Sequence, residues 1–147
     1  MAEYLAFRAR HFTAAPDSGA STTELFEMMP CNVREARGDA TPPLLGAVGG
    51  DVDADAVRAA LHRAGQRVRR VETDNRLHRW EWLAGPSRLL KTDAVDHAAA
   101  HDLVGCQDIA WDVAGAEVEL GLSGAEALHL ATAMASHGVG GDPACSR

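Results

Sequence analysis

Acids and histidines with spacing suited to chemistry fall between Val71 and Leu122, in VETDNRLHRWEWLAGPSRLLKTDAVDHAAAHDLVGCQDIAWDVAGAEVELGL. The aspartates form three groups: Asp74; Asp93 with Asp96; and Asp102, Asp108 and Asp112. Asp93, His97 and His101 are spaced four apart, so on one helix they would share a face. Carboxylate and imidazole ligands of this kind bind zinc or manganese, and a metal-dependent hydrolase centred on Asp93, His97 and His101 is one reading. The blander reading is a solvated polar face, since no firm metal motif completes the set. The same stretch holds all three tryptophans and Lys91, the one lysine beside thirteen arginines.

These residues must be positioned by elements that the pattern specifies in outline. Glu3 to Phe12 is expected to be a helix, with Tyr4, Phe7, His11 and Phe12 on one side and Arg8 on the other. Its aromatic face, so close to Met1, suggests packing against something earlier in a longer chain. Ala14 to Ala20 reads as loop. Ser21 with Glu24 is a capping box that opens a helix. Its buried stripe would be Leu25, Met28, Met29 and Val33, with a kink or restart at Pro30 and a stop at Gly38. Residues 39–50 read as loop. A helix from Asp53 to Gly65 would turn Val57, Ala60, Leu61 and Ala64 inward, and alternation over Gln66 to Glu72 suggests a short strand.

His78 to Leu83 and Arg88 to Thr92, joined by Ala84-Gly85-Pro86-Ser87, read as a hairpin. Asp96 to Leu103 reads as a short helix or irregular turn. Gln107 to Leu122 reads as a helix with Ala110, Trp111, Ala114 and Val118 inward. Ser123 with Glu126 caps a final helix that buries Ala127, Leu130, Ala131 and Met134. The tryptophans are expected in the core, His78 as a packed, hydrogen-bonded side chain, and the cysteines as inert and buried. The fold class that results is α+β, mainly α: one domain over residues 1–137 with a small β-hairpin, and a flexible tail over 138–147.

Composition narrows the function classes. A chain of 147 residues that is 46% hydrophobic can build a core, though with 5% aromatic residues and much alanine it is a modest one. The formal charge of −7 argues against nucleic acid or an acidic membrane surface as a partner. No apolar run is long enough to span a membrane, and MAEYLAFRAR lacks the apolar core of a signal peptide. Cys31, Cys106 and Cys145 are widely spaced and odd in number, which fits a reducing, cytoplasmic setting.

An aspartate after a strand, a hairpin, a second aspartate after Leu89-Leu90, and DIAWDVA at a helix start resemble one known arrangement. This is the C-terminal lobe of the aminoglycoside-phosphotransferase and protein-kinase-like superfamily. The likeness covers about residues 57 to 122, and DIAWDVA is its most specific part. It implies that Asp74 orients or deprotonates an attacking hydroxyl and that Asp93 holds Mg²⁺ against the phosphates of ATP. It implies that Asp112, supported by Asp108, accepts hydrogen bonds from the catalytic-loop backbone. The implied reaction moves the γ-phosphoryl of a nucleoside triphosphate to a small-molecule hydroxyl.

The chain departs from the pattern. Glu72-Thr73-Asp74 stands where the family has His-Gly-Asp. Arg79 and Trp80 occupy the region of a second, asparagine metal ligand, for which Asn75 and Glu81 are the nearest substitutes. No phosphate-covering glycine loop and no strand-rich N-lobe precede Asp74. The expectation is therefore a truncated or degenerate phosphotransferase, inactive alone and with no ligand bound. Its partner would be the missing N-lobe or a second copy. The alternative is a non-catalytic interaction module that docks through Tyr4, Phe7 and Phe12.

Overall fold

The computed structural model describes residues 1–38, 53–95, 97–99 and 104–139. These contain five α-helices and one two-stranded antiparallel sheet, a mainly helical α+β fold. The chain divides into two compact units, Met1–Gly19 with Arg69–Arg147, and Ala20–Val68.

The smaller unit carries α2 (Thr22–Arg37) and α3 (Ala54–Gly65), which pack on each other. Ser21 Oγ accepts a hydrogen bond from the Glu24 N–H, and the Glu24 carboxylate accepts one from the Ser21 N–H, which is the expected capping box. Asp53 caps α3 through the Asp55 N–H. Thr22 Oγ1 donates to the Leu61 carbonyl at 3.0 Å and ties the two helices. The helix runs through Pro30 without a restart and stops at Gly38, so the missing proline N–H is tolerated within it. Leu25, Val57 and Leu61 are half-buried, whereas Met28, Ala60 and Ala64 are exposed. The side chains of Met29 and Val33, and the expected loop over 39–50, lie outside the described residues.

The larger unit packs α1 (Ala2–His11) on α4 (Ile109–Leu120) and α5 (Gly124–Ser136). Its core is Leu5, Leu77, Ala116, Leu130 and Met134, flanked by Tyr4, Trp82, Ile109, Val113, Leu120 and Leu122. A fully buried leucine such as Leu5 contributes about 1.5–3 kcal/mol. Ser123 and Glu126 form the second capping box, at the start of α5. Ser123→Ala is expected to cost about 1 kcal/mol in urea denaturation, because an N–H of the first turn loses its acceptor.

Several expectations are corrected. Gln66 to Glu72 forms no strand. Val71 alone makes bridges, to Thr13 and to Gln107, and with no ladder on either side the extended segment has no sheet to join. The inward face of α4 is Ile109, Asp112, Val113, Ala116 and Leu120; Ala110, Trp111, Ala114 and Val118 face solvent. Burial of a charged aspartate rotated the helix away from its hydrophobic reading. Of the tryptophans only Trp82 joins the core: Trp80 is 76% and Trp111 40% exposed. In α5, Leu130 and Met134 are buried and Ala127 partly so, but Ala131 is exposed. Cys31 is exposed and Cys106 half-buried, so neither is a core thiol, and Cys145 lies outside the described residues.

The hairpin forms as β1 (Trp82–Ala84) and β2 (Leu89–Lys91), but its first strand is shorter than the expected His78 to Leu83, because Arg79–Glu81 is a 3₁₀ turn. Its register pairs Trp82 with Lys91 and Leu83 with Leu90. Side chains alternate across a strand, so Trp82 and Lys91 share the inner face while Leu83 and Leu90 point outward. Gly19 and Gly105 meet backbone to backbone, both at positive φ. A Cβ on Gly19 would lie 2.3 Å from the Cys106 carbonyl oxygen, so only glycine lets the two loops touch.

Candidate functional site

Asp74 follows the buried Val71 and Thr73 and is itself fully buried. The turn that presents it is held from below by Asp112. One carboxylate oxygen of Asp112 accepts the Asp74 N–H at 2.8 Å and the other the Asn75 N–H at 2.9 Å. Asn75 takes a left-handed conformation (φ 62°), which asparagine tolerates. Its side-chain amide donates to the Thr73 and Gly105 carbonyls. Asp108 is the N-cap of α4: it accepts from the Ala110 N–H at 3.0 Å and the Arg69 N–H at 3.1 Å. Both acids of DIAWDVA therefore act on backbone, Asp108 at the helix start and Asp112 one turn further on.

The carboxylate of Asp74 is contacted by three side chains, Tyr4, Lys91 and His97, with Arg8 behind Tyr4. Tyr4 donates its hydroxyl proton to Oδ2. Lys91 Nζ lies 3.4 Å from the same oxygen. His97 Nδ1 lies 2.8 Å from the Asp74 carbonyl and 3.2 Å from Oδ1. Arg8 is buried beside Tyr4, to whose hydroxyl it donates at 3.2 Å; it also donates to the Glu72 and Ala94 carbonyls. Tyr4 and Arg8 thus reach the site together from successive turns of α1. Arg8 is not on the opposite side from Tyr4, as the aromatic spacing had suggested; only Phe7, His11 and Phe12 cluster on the outer flank. Burial, and then the bond to Asp74, push the Tyr4 phenol well above its ordinary pKa, so it stays a donor.

Asp93 stands apart from this enclosure. It too is left-handed (φ 46°), and this turn sends its carbonyl to Lys91 Nζ at 2.9 Å. Its carboxylate is 66% exposed and lies 3.7 Å from His97 Nε2. His97 therefore links the two aspartates, one on each ring nitrogen. Lys91, 1% exposed at its side chain, also contacts Glu81 Oε2 at 2.7 Å and the Thr92 carbonyl at 3.0 Å. His78 stacks on Trp80 and lies 3.2 Å from Glu119, a packed and hydrogen-bonded histidine as expected.

The divalent ion expected at Asp93 does not fit this arrangement. The oxygens that converge are already around an ammonium, and the Asp93 carboxylate is turned toward an imidazole. Among the described residues, no group of three or more His, Cys, Asp or Glu is placed to hold a metal. His97 folds in a 3₁₀ turn at His97–Ala99, while His101, Asp96 and Asp102 lie outside the described residues.

Spacing does not mark Tyr4, Arg8 or Lys91 as site residues, and it offers Glu81 only as a substitute metal ligand, whereas here Glu81 meets Lys91. A signal was present: the chain has one tyrosine and one lysine, and both converge on Asp74.

Burial pushes the Asp112 carboxyl up to about 6, against the two backbone N–H groups that favour its charge. In the unfolded chain the same group titrates near 3.8. The folded state therefore binds the extra proton, and the stability this group contributes is present below 3.8 and lost as pH rises through 6. The loss is on the order of 3 kcal/mol. Urea denaturation from pH 4 to 6.5 should show wild type losing ground against Asp112→Asn across this window. A constant difference between the two would contradict it.

No known protein family, curated protein or solved structure matches the chain. Among the described residues, no helix is long and apolar enough to cross a membrane.

Proposed function

We propose that the larger unit is a degenerate kinase-like phosphotransferase cradle that carries out no phosphoryl transfer by itself. Its ancestral reaction is ATP-dependent phosphorylation of a small-molecule hydroxyl, and its setting is the cytoplasm. The observation that carries this reading is the treatment of Asp74. Its backbone N–H and that of Asn75 are held by the two oxygens of Asp112, the support that the resemblance calls for. Its carboxylate, by contrast, is fully buried beneath Tyr4, Lys91 and His97. A general base must come within hydrogen-bond reach of the proton it removes, and no acceptor hydroxyl reaches an enclosed carboxylate.

The test is calorimetric titration with Mg²⁺ and ATP, paired with an assay for ADP release. The expected result is no micromolar binding and no turnover. Micromolar binding that Asp93→Asn abolishes would overturn the reading.

A second reading, a non-catalytic interaction module, is favoured by one observation. Leu83, Leu89 and Leu90 of the hairpin are 42–55% exposed. The surface differs from the one expected at α1, because Tyr4 is committed to Asp74 and only Phe7 is strongly exposed there. Light scattering after size-exclusion chromatography, on wild type and Leu83→Glu, separates the two readings. A monomer in both leaves this one without support.

A further inference from the structure

We propose that the Lys91 ammonium is the resident cation of the Asp74 centre and keeps divalent ions out of it, so that the Asp93 carboxylate of the kinase-like reading has no ion to share with Asp74. The inference rests on that reading. Nζ is surrounded by Glu81 Oε2 at 2.7 Å, the Asp93 carbonyl at 2.9 Å, the Thr92 carbonyl at 3.0 Å and Asp74 Oδ2 at 3.4 Å. Two carboxylates and two carbonyls are the donor set of a hard cation. An ammonium is a compact point charge with three donors, and it satisfies such a set without the planar fork that arginine would bring.

The backbone is built around this occupant. Hairpin register places Lys91 on the inner face, and the left-handed turn at Asp93 supplies a carbonyl where a metal would take the carboxylate. Mg²⁺ binds oxygens at about 2.0–2.1 Å. It therefore cannot share these oxygens with an ammonium, and its entry requires that Lys91 leave a fully enclosed position.

Lys91 is the chain's only lysine, so its Nζ and Cε give the one lysine-amine signal in a spectrum of isotope-labelled protein. The experiment follows that signal in the full chain during titration with Mg²⁺, and measures Mn²⁺ binding by electron paramagnetic resonance in wild type, Lys91→Ala and Lys91→Ala/Glu81→Gln. The expected result is an unmoved Lys91 signal and Mn²⁺ affinity at least about tenfold higher in Lys91→Ala than in wild type. Mn²⁺ or ammonium should raise the melting temperature of Lys91→Ala by about 4 °C, and added Glu81→Gln should remove the gain. If Lys91→Ala is unfolded without cations, refolding on addition of either ion supports the proposal equally.

Mn²⁺ binding as tight in wild type as in Lys91→Ala overturns the proposal, as does a Lys91 signal displaced by Mg²⁺. A variant that no cation binds or restores also overturns it. Displacement of Lys91 without ATP turnover defeats this inference alone, whereas turnover of Mg²⁺–ATP defeats the reading beneath it.

Discussion

Asp112→Ala is expected to lower unfolding free energy by about 2–6 kcal/mol, because it leaves two buried backbone N–H groups with no acceptor at about 1–3 kcal/mol each. Both groups belong to the turn that carries Asp74, and that turn also holds a left-handed Asn75. A domain of this size is typically stable by about 5–15 kcal/mol, so the loss is a large share of the total. Urea denaturation followed by circular dichroism measures it. Asp112→Asn should cost less, since its amide oxygen still accepts one of the two N–H groups. A loss under about 1 kcal/mol in Asp112→Ala would mean that the turn finds other acceptors and that Asp112 is not its support.

Lys91→Met should cost about 3–5 kcal/mol, the usual penalty for stripping one partner from a buried ion pair. Methionine matches the length of the stem but leaves Asp74 and Glu81 without their shared cation. The loss comes from the orphaned carboxylates and not from lost packing. Adding Glu81→Gln to Lys91→Met should therefore recover part of it, because a neutral amide needs no counter-ion. If the double variant is less stable than Lys91→Met by the full cost of Glu81→Gln measured alone, the two side chains are not coupled. Thermal unfolding and urea titration of the three variants give the double-mutant cycle.

These two residues also mark how far the site could be read in advance. Asp112 was found through DIAWDVA, because a carboxylate in the first turn of a helix is a local signature. Its two oxygens accept the N–H groups of residues 74 and 75. Lys91 was visible as the only lysine but had no assigned partner. Its nearest acids in the chain are Asp93 and Asp96, yet its contacts are with Asp74, with Glu81 across the hairpin, and with the carbonyl of Asp93. Tyr4 and Arg8 join from a helix whose hydrophobic spacing pointed to the Phe7 flank. The contact of Tyr4 with Asp74 spans seventy positions, a distance over which no periodic pattern carries information.

The phase of α4 shows the same limit from another side. Its apolar residues are so abundant that Ala110, Trp111, Ala114 and Val118 make as good a stripe as Ile109, Val113, Ala116 and Leu120. What selects between them is one polar side chain, Asp112, drawn inward by two unpaired N–H groups on a distant turn. Leaving two buried N–H groups unsatisfied costs more than leaving an alanine or a valine in solvent does.

By itself the sequence determined what depends on neighbours in the chain. That comprises both capping boxes, the helix start at Asp53, the stop at Gly38 and the hairpin across Ala84 to Ser87. It also includes the mainly helical class, because hydrogen bonds and turn geometry within a few residues settle each of these. Tertiary structure alone decided which carboxylates are buried, which cation each one meets and which face of α4 turns inward. Burial makes an unpaired charge too costly to keep, and Lys91, arriving on the inner face of β2, gives Asp74 and Glu81 a shared cation, while Tyr4 and His97 meet Asp74 as well.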